Sequence, residues 1–286
     1  MIRDALGTVK YWDEWVAFQD EAISKRLKIV EGPSGDPSYR PQFVRGISHA
    51  HREQMFRRYS RGDSIRELAE HFSPMLDAWE EAERLGLEVY DAERQYTRHN
   101  WAVNFDLYVD CFWIVGLALA LEIPDDLWNR LLALIGNEGE DTLFDRIIAS
   151  RAPGRRIGAQ LCFRRPYARL LKAVDAPVEQ QPVLLREFVD HWYEEIGTIG
   201  KFGRAKQAVP YPHPYWWKLG NENFEGGAYF GRWCVEAVAA VKAFGMDDSL
   251  CLGHPHYPGD LLRPDGPSTH SSKARRKPSW LSRWLR

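Results

Sequence analysis

The stretch Tyr229-Phe-Gly-Arg-Trp-Cys-Val-Glu-Ala-Val-Ala-Ala-Val-Lys-Ala-Phe244 decides the fold class of this chain. Phe230, Trp233, Ala237, Val241 and Phe244 fall on one face of a 3.6-residue turn, so the spacing predicts an aromatic-faced α-helix. Arg232 and Glu236 stand four apart on another face, the spacing of a surface ion pair. Gly245 is suited to a left-handed cap at its end. The following Leu252-Gly-His-Pro-His-Tyr-Pro-Gly-Asp-Leu261 cannot continue the helix, because Pro255 and Pro258 remove backbone donors and restrict the residues before them. A proline-fixed return is the nearest cover for the aromatic stripe, so Trp233 and Tyr257-Pro258-x-Asp260 are expected to pack as one unit.

Helical spacing extends through most of the chain. A first amphipathic helix is read from Leu6 to Ile29, before the loop Gly32-Pro33-Ser34-Gly35-Asp36-Pro37. A second element starts near Ser48 and breaks around Ser60-Arg61-Gly62-Asp63. Asp63 or Ser64 then caps a helix to Leu85, with Ile65, Leu68, Phe72, Met75 and Trp79 on one face and Gly86 at its end. Further helices are read at Trp101–Glu122, at Leu127–Ile135 behind Pro124, and over 141–149, 155–173 and 182–197. The aromatic, proline-rich interval around Pro210-Tyr-Pro-His-Pro-Tyr-Trp-Trp217 is too stiff for a helix. No segment alternates with the period of a strand. The fold expected is all-α, a compact bundle of packed antiparallel helices, divided into subdomains 1–122 and 123–263 with a flexible basic tail at 264–286.

Composition bounds the function. Cys111, Cys162, Cys234 and Cys251 show no C-x-x-C spacing, and the N-terminus has no apolar signal region, which fits a reduced, cytoplasmic protein. The uncharged run Cys111–Leu121 is too short for a membrane span. The net charge of −2 hides an asymmetry: residues 267–286 carry six basic side chains and no acids, leaving 32 basic and 40 acidic side chains on the other 266 residues. An acidic body argues against nucleic acid as a ligand and favours a basic partner.

The aromatic helix closed by a Tyr-Pro-x-Asp-Leu hook resembles the C-terminal signature of the PoNi immunity proteins. Tyr59-Ser-Arg-Gly-Asp-Ser-Ile-Arg-Glu-Leu-Ala-Glu-His-Phe72 is similar to their N-terminal pattern. The resemblance touches residues 48–262 and leaves the tail aside. It implies a cytoplasmic protein that neutralises a PoNe-type DNase toxin of a bacterial secretion system by stoichiometric binding, with no catalysis and no cofactor. Nothing in the sequence sets an oligomeric state.

Candidate interface residues follow from charge and aromatic content. Glu222 and Glu225 lie beside the stiff Trp216-Trp217 segment, which offers pre-ordered anchors; Glu138, Glu140 and Asp141 form a second acidic group. Asp77, Glu80, Glu81 and Glu83, continued by Asp91 and Glu93, make a third. Asn104, Asp106 and Asp110 interrupt an apolar helix and need internal partners, for which Arg98, Arg164, Arg165 or Arg232 are available. The rival reading is a metal-dependent hydrolase built on His213, His254, His256 and Asp260, residue types that hold zinc if their loops meet.

Overall fold

A computed structural model describes residues 1–32, 36–197, 214–217 and 226–270. Among them are ten α-helices and no strand, so the architecture is the expected all-α bundle. The helices are α1 (Val9–Glu31), α2 (Arg40–Arg61), α3 (Phe72–Val89), α4 (Ala92–His99), α5 (Phe105–Ala120), α6 (Asp125–Ile135), α7 (Thr142–Ala149), α8 (Tyr167–Asp175), α9 (Gln181–Ile196) and α10 (Val235–Phe244). Local chemistry explains several of the ends. The side chains of Thr8, Asp91, Asn104 and Asp141 cap α1, α4, α5 and α7, and Gly62 and Gly245 close α2 and α10 in the left-handed region.

Helix α5 is the axis of the bundle. Every residue from Phe105 to Ala120 is buried except Asp106 and Leu107, as expected of a helix that is apolar all round. It packs closely on α10 at Gly116, where an added Cβ would lie 2.6 Å from a Val235 methyl. Helix α2 lies between α1 and α3, α3 meets α6, and α8 pairs with α9. One core cluster runs from Met55 to Leu261, drawing on both predicted subdomains.

Several sequence readings need correction. Residues 229–234 are not helical: Gly231 takes φ +108°, and the Cys234 N–H donates to His256 O at 2.8 Å, so this segment pairs with the return loop. The loop therefore covers the backbone of 232–234, while the Trp233 indole turns the other way, onto Tyr59, Ser60 and His270. Glu236 makes no surface pair with Arg232. It is fully buried and accepts hydrogen bonds from Tyr167 Oη (3.1 Å) and Trp192 Nε1 (3.0 Å). Asp63 caps nothing, because Arg58 and Arg61 hold its carboxylate, and a 3-10 turn (Arg66–His71) precedes α3. Helix α2 begins eight residues earlier than read, α3 runs past Gly86 to Val89, and α4 was unread. Residues 155–166 stay irregular because Asp145 binds Arg155 and the Gly158 N–H.

The two ends of the described chain are stitched together. Arg3 Nε donates to Asp260 Oδ2 at 2.6 Å, and Tyr229 Oη donates to Asp4 Oδ2 at 2.5 Å. The tail boundary at 263 also falls within the packed body. Thr269 donates its N–H and hydroxyl to Asp260, and His270 is buried against Tyr59 and Trp233. The rest of the predicted tail, 271–286, lies outside the described residues.

Candidate partner-binding face

The acids inside α5 do have an internal partner, but it is Arg52 of α2 rather than the arginines read from sequence. Arg52 is completely buried and forms an ion pair with Asp110, which His49 Nε2 also approaches at 3.4 Å. The Tyr215 hydroxyl extends the network, accepting from Arg52 at 3.1 Å and donating to Glu53 at 2.8 Å. The Tyr215 N–H reaches Asp106 Oδ1 at 3.3 Å. Burial, then the Asp110 charge, push the Asp106 carboxyl up to about 7. This network docks the turn 214–217 onto the bundle. Trp216 consequently enters the core, with its ring 4.7 Å from that of Trp113 and stacked at 6.2 Å on Trp192.

Outside this network the surface opens into a groove. A cleft of about 210 Å³ is lined by Arg45, His49, Trp79, Arg98, Asp106 and Asp110, among others. A hollow of about 460 Å³ continues it toward Gly136 and Asn137, sharing Glu83, His99, Leu134 and Ile135 with the cleft. Glu83 is fixed at the junction by hydrogen bonds from Trp79 Nε1 (3.0 Å) and His99.

The segment that gives Trp79 and Glu83 to the groove is strongly acidic. Residues 67–93, spanning the 3-10 turn, α3 and the start of α4, hold nine carboxylates and one arginine, a net −8. All other residues up to 266 balance to zero, so this segment carries the whole excess charge of the body. Arg84 and Arg130 tie Glu81, Glu88, Asp77 and Glu80 in place, while Glu67, Glu70, Asp91 and Glu93 are exposed. Two apolar side chains of the same helices are exposed, Leu87 of α3 at 77% and Tyr96 of α4 at 57%. The composition marked the acids of α3, but the unread α4 hid Tyr96 and the groove.

The other sequence candidates are distributed differently. Glu222, Glu225 and His213 lie outside the described residues. Trp216 is 5% exposed and is no surface anchor; Trp217 is held by reciprocal hydrogen bonds with Tyr193, both 2.8 Å. Asp141 is fully buried, accepting N–H bonds from Leu143, Phe144 and Cys162, so its carboxylate is a cap rather than a contact. Glu138 and Glu140 are exposed just beyond Asn137, where the groove ends. The zinc set does not assemble in its described members. His254 faces Asp190 at 3.2 Å, His256 Nδ1 faces Arg232 O at 3.1 Å, and Asp260 binds Arg3 and Thr269. No group of three metal-ligating side chains occurs among the described residues.

The chain belongs to the PoNe immunity protein (PoNi) family: the family's N-terminal model matches residues 3–133 and its C-terminal model residues 139–261. No curated protein matches the chain. Among solved structures it is similar to protein PA2201 from Pseudomonas aeruginosa, with a TM-score of 0.62 and 16% identity over 89% of this chain and 86% of that one. At that identity the likeness describes the fold. No helix among the described residues is long and apolar enough to cross a membrane.

Proposed function

We propose that this protein neutralises a DNA-cleaving toxin in the cytoplasm by stoichiometric binding through the α3–α4 face. The supporting observation is the concentration of the body's whole excess charge, −8, within residues 67–93 beside an open groove. A domain that grips DNA is basic where it meets phosphate. An acidic ridge accelerates its approach and competes for the same cationic side chains. Leu87 and Tyr96 supply the apolar anchors that such a face needs for affinity. Glu138 and Glu140 form the far rim, and Glu222, Glu225 and Trp217 are further proposed contacts.

The test is charge reversal with co-expression of the toxin. Glu70→Lys with Glu88→Lys and Glu93→Lys changes exposed side chains only, so an unchanged circular dichroism spectrum is expected. This variant is expected to lose protection and most of the salt dependence of binding. Glu138→Lys with Glu140→Lys, and Glu222→Lys with Glu225→Lys, measure the other two groups separately. A folded ridge variant that still protects cells, with unchanged affinity, would overturn the assignment of this face.

A further inference from the structure

Two guanidinium groups in the cleft form no direct ion pair with an acid among the described residues. Arg45 is 8% exposed, stands over Trp79 at 3.8 Å, and donates from Nη1 to Ser48 Oγ at 2.8 Å. Arg98 stands over Tyr90 at 4.5 Å, and its Nε is buried without an acceptor. Neither forms an ion pair among the described residues, although Arg52 holds Asp110, His99 holds Glu83 and Arg130 holds Glu80. A buried guanidinium without a carboxylate is costly, and burial pulls Arg45 down to about 10.

The acids on the cleft wall offset these cations incompletely. Glu83 is occupied by Trp79 and His99, and Asp110 by Arg52. Asp106, raised to about 7, is roughly half protonated near neutral pH. His49 is kept uncharged by burial and then by Arg45, Arg52 and Arg98 around it. Glu83 and Asp110 thus act on Arg45 through space only, and neither pairs directly with Arg45 or Arg98.

We propose that the cleft is a carboxylate pocket, in which Arg45 and Arg98 grip an acidic side chain of the bound protein. Its occupant rests on the reading of the α3–α4 face given above; carboxylate binding itself is a property of the free protein. Guanidinium forks match a carboxylate in plane, and Trp79 and Tyr90 hold the two forks in place. A phosphate dianion fits less well, because Glu83, Asp106 and Asp110 lie close and the ridge repels polyanions. An acid-seeking pocket in an acidic face also selects its partner, which must be basic around one central acid.

The experiment titrates sodium acetate into the full-length protein against sodium chloride at equal ionic strength, with inorganic phosphate in a parallel arm. The arginine Nε–H NMR signals report binding. Saturable shifts of Arg45 and Arg98 are expected with acetate, weakened at least about tenfold by Arg98→Gln, which sits on the partly exposed α4. Arg45→Met provides a second variant, with circular dichroism as the check on folding. Linear, unsaturated shifts, or equal acetate binding by Arg98→Gln, would overturn the pocket. Phosphate binding more than about tenfold tighter than acetate would overturn its preference for a carboxylate. With the toxin, Arg98→Gln is expected to weaken the complex at least about tenfold. Loss of acetate binding with unchanged toxin affinity overturns the occupant, whereas failure of the ridge variants alone tells against the face.

Discussion

The Nδ1 atoms of His51 and His71 face each other at 3.1 Å, so one ring donates and the other accepts. Burial pulls both imidazoles down to about 4. Nearby Asp20 and Asp77 partly oppose this at His51, while His51 and Arg58 reinforce it at His71. Between pH 6.5 and about 4 the unfolded chain binds protons that the folded pair refuses. Stability from this pair is therefore complete above the ordinary histidine range and falls with pH through that window. Asp106 and Glu236, both raised to about 7, act in the opposite sense over an overlapping range. The difference between wild type and His51→Gln/His71→Gln isolates the pair. Urea unfolding at several pH values should show wild type losing about 2–4 kcal/mol relative to the double variant on acidification.

Glu236 offers the reverse dependence. Its carboxyl is buried, and burial raises it to about 7 despite hydrogen bonds from Tyr167 and Trp192. The stability it contributes is complete below about pH 4.5, declines as pH rises from there to about 7, and is gone above. Glu236→Gln keeps an acceptor oxygen and has no charge to bury. Its melting temperature relative to wild type should rise between about pH 4.5 and 7, where the unfolded carboxyl has ionised and the folded one has not, and level off above that range.

Gly116 sets the spacing of α5 and α10. A Cβ there would meet Val235 at 2.6 Å and Ala239 at 3.1 Å. Gly116→Ala should cost about 1–3 kcal/mol by overpacking, despite the better helix propensity of alanine. Chemical denaturation measures it, and Val235→Ala in the same chain should restore part of the loss.

Trp216→Ala tests the placement of the 214–217 turn. Emptying a buried indole site should lower stability by about 3–5 kcal/mol. Toxin affinity per folded molecule should stay within about twofold, since the ring faces Trp113 and Trp192 rather than solvent.

Truncation after Leu262 should be destabilising. It removes both Thr269 hydrogen bonds to Asp260 and the His270 ring beside Trp233. A loss of about 1–3 kcal/mol is expected, whereas truncation after His270 tests 271–286 by itself. Melting temperatures of the two truncated chains separate the contributions.

The all-α class was legible in the periodicity of segments such as 105–120 and 235–244, where burial follows spacing closely. The site was less legible because its partners are far apart in the chain. Arg52 and Asp110 meet only through the packing of α2 against α5, and no local pattern distinguishes Arg52 from the other arginines of α2. Trp216 and Trp217 read as anchors because an aromatic, proline-rich segment has the same composition whether it faces solvent or a core. Residues 229–234 fit the helical stripe by spacing, but Gly231 and the pairing of Cys234 with His256 outweighed that periodicity. The acids of α3 were visible from charge, since exposed carboxylates need no tertiary partner to be recognised.

The seam between Arg3 and Asp260 also has a meaning during synthesis. The first residues leave the ribosome with their partners, Tyr229 and Asp260, still untranslated. At roughly 5–20 residues per second, Arg3 waits about 10–50 s for its carboxylate. Arg3 and Asp4 also bond Tyr59, Ser60 and Asp63, which are made early, so only the half of the seam that needs Tyr229 and Asp260 has to wait. Protease resistance at residues 1–8 in a pulse-chase should thus be completed only once residue 260 has been translated.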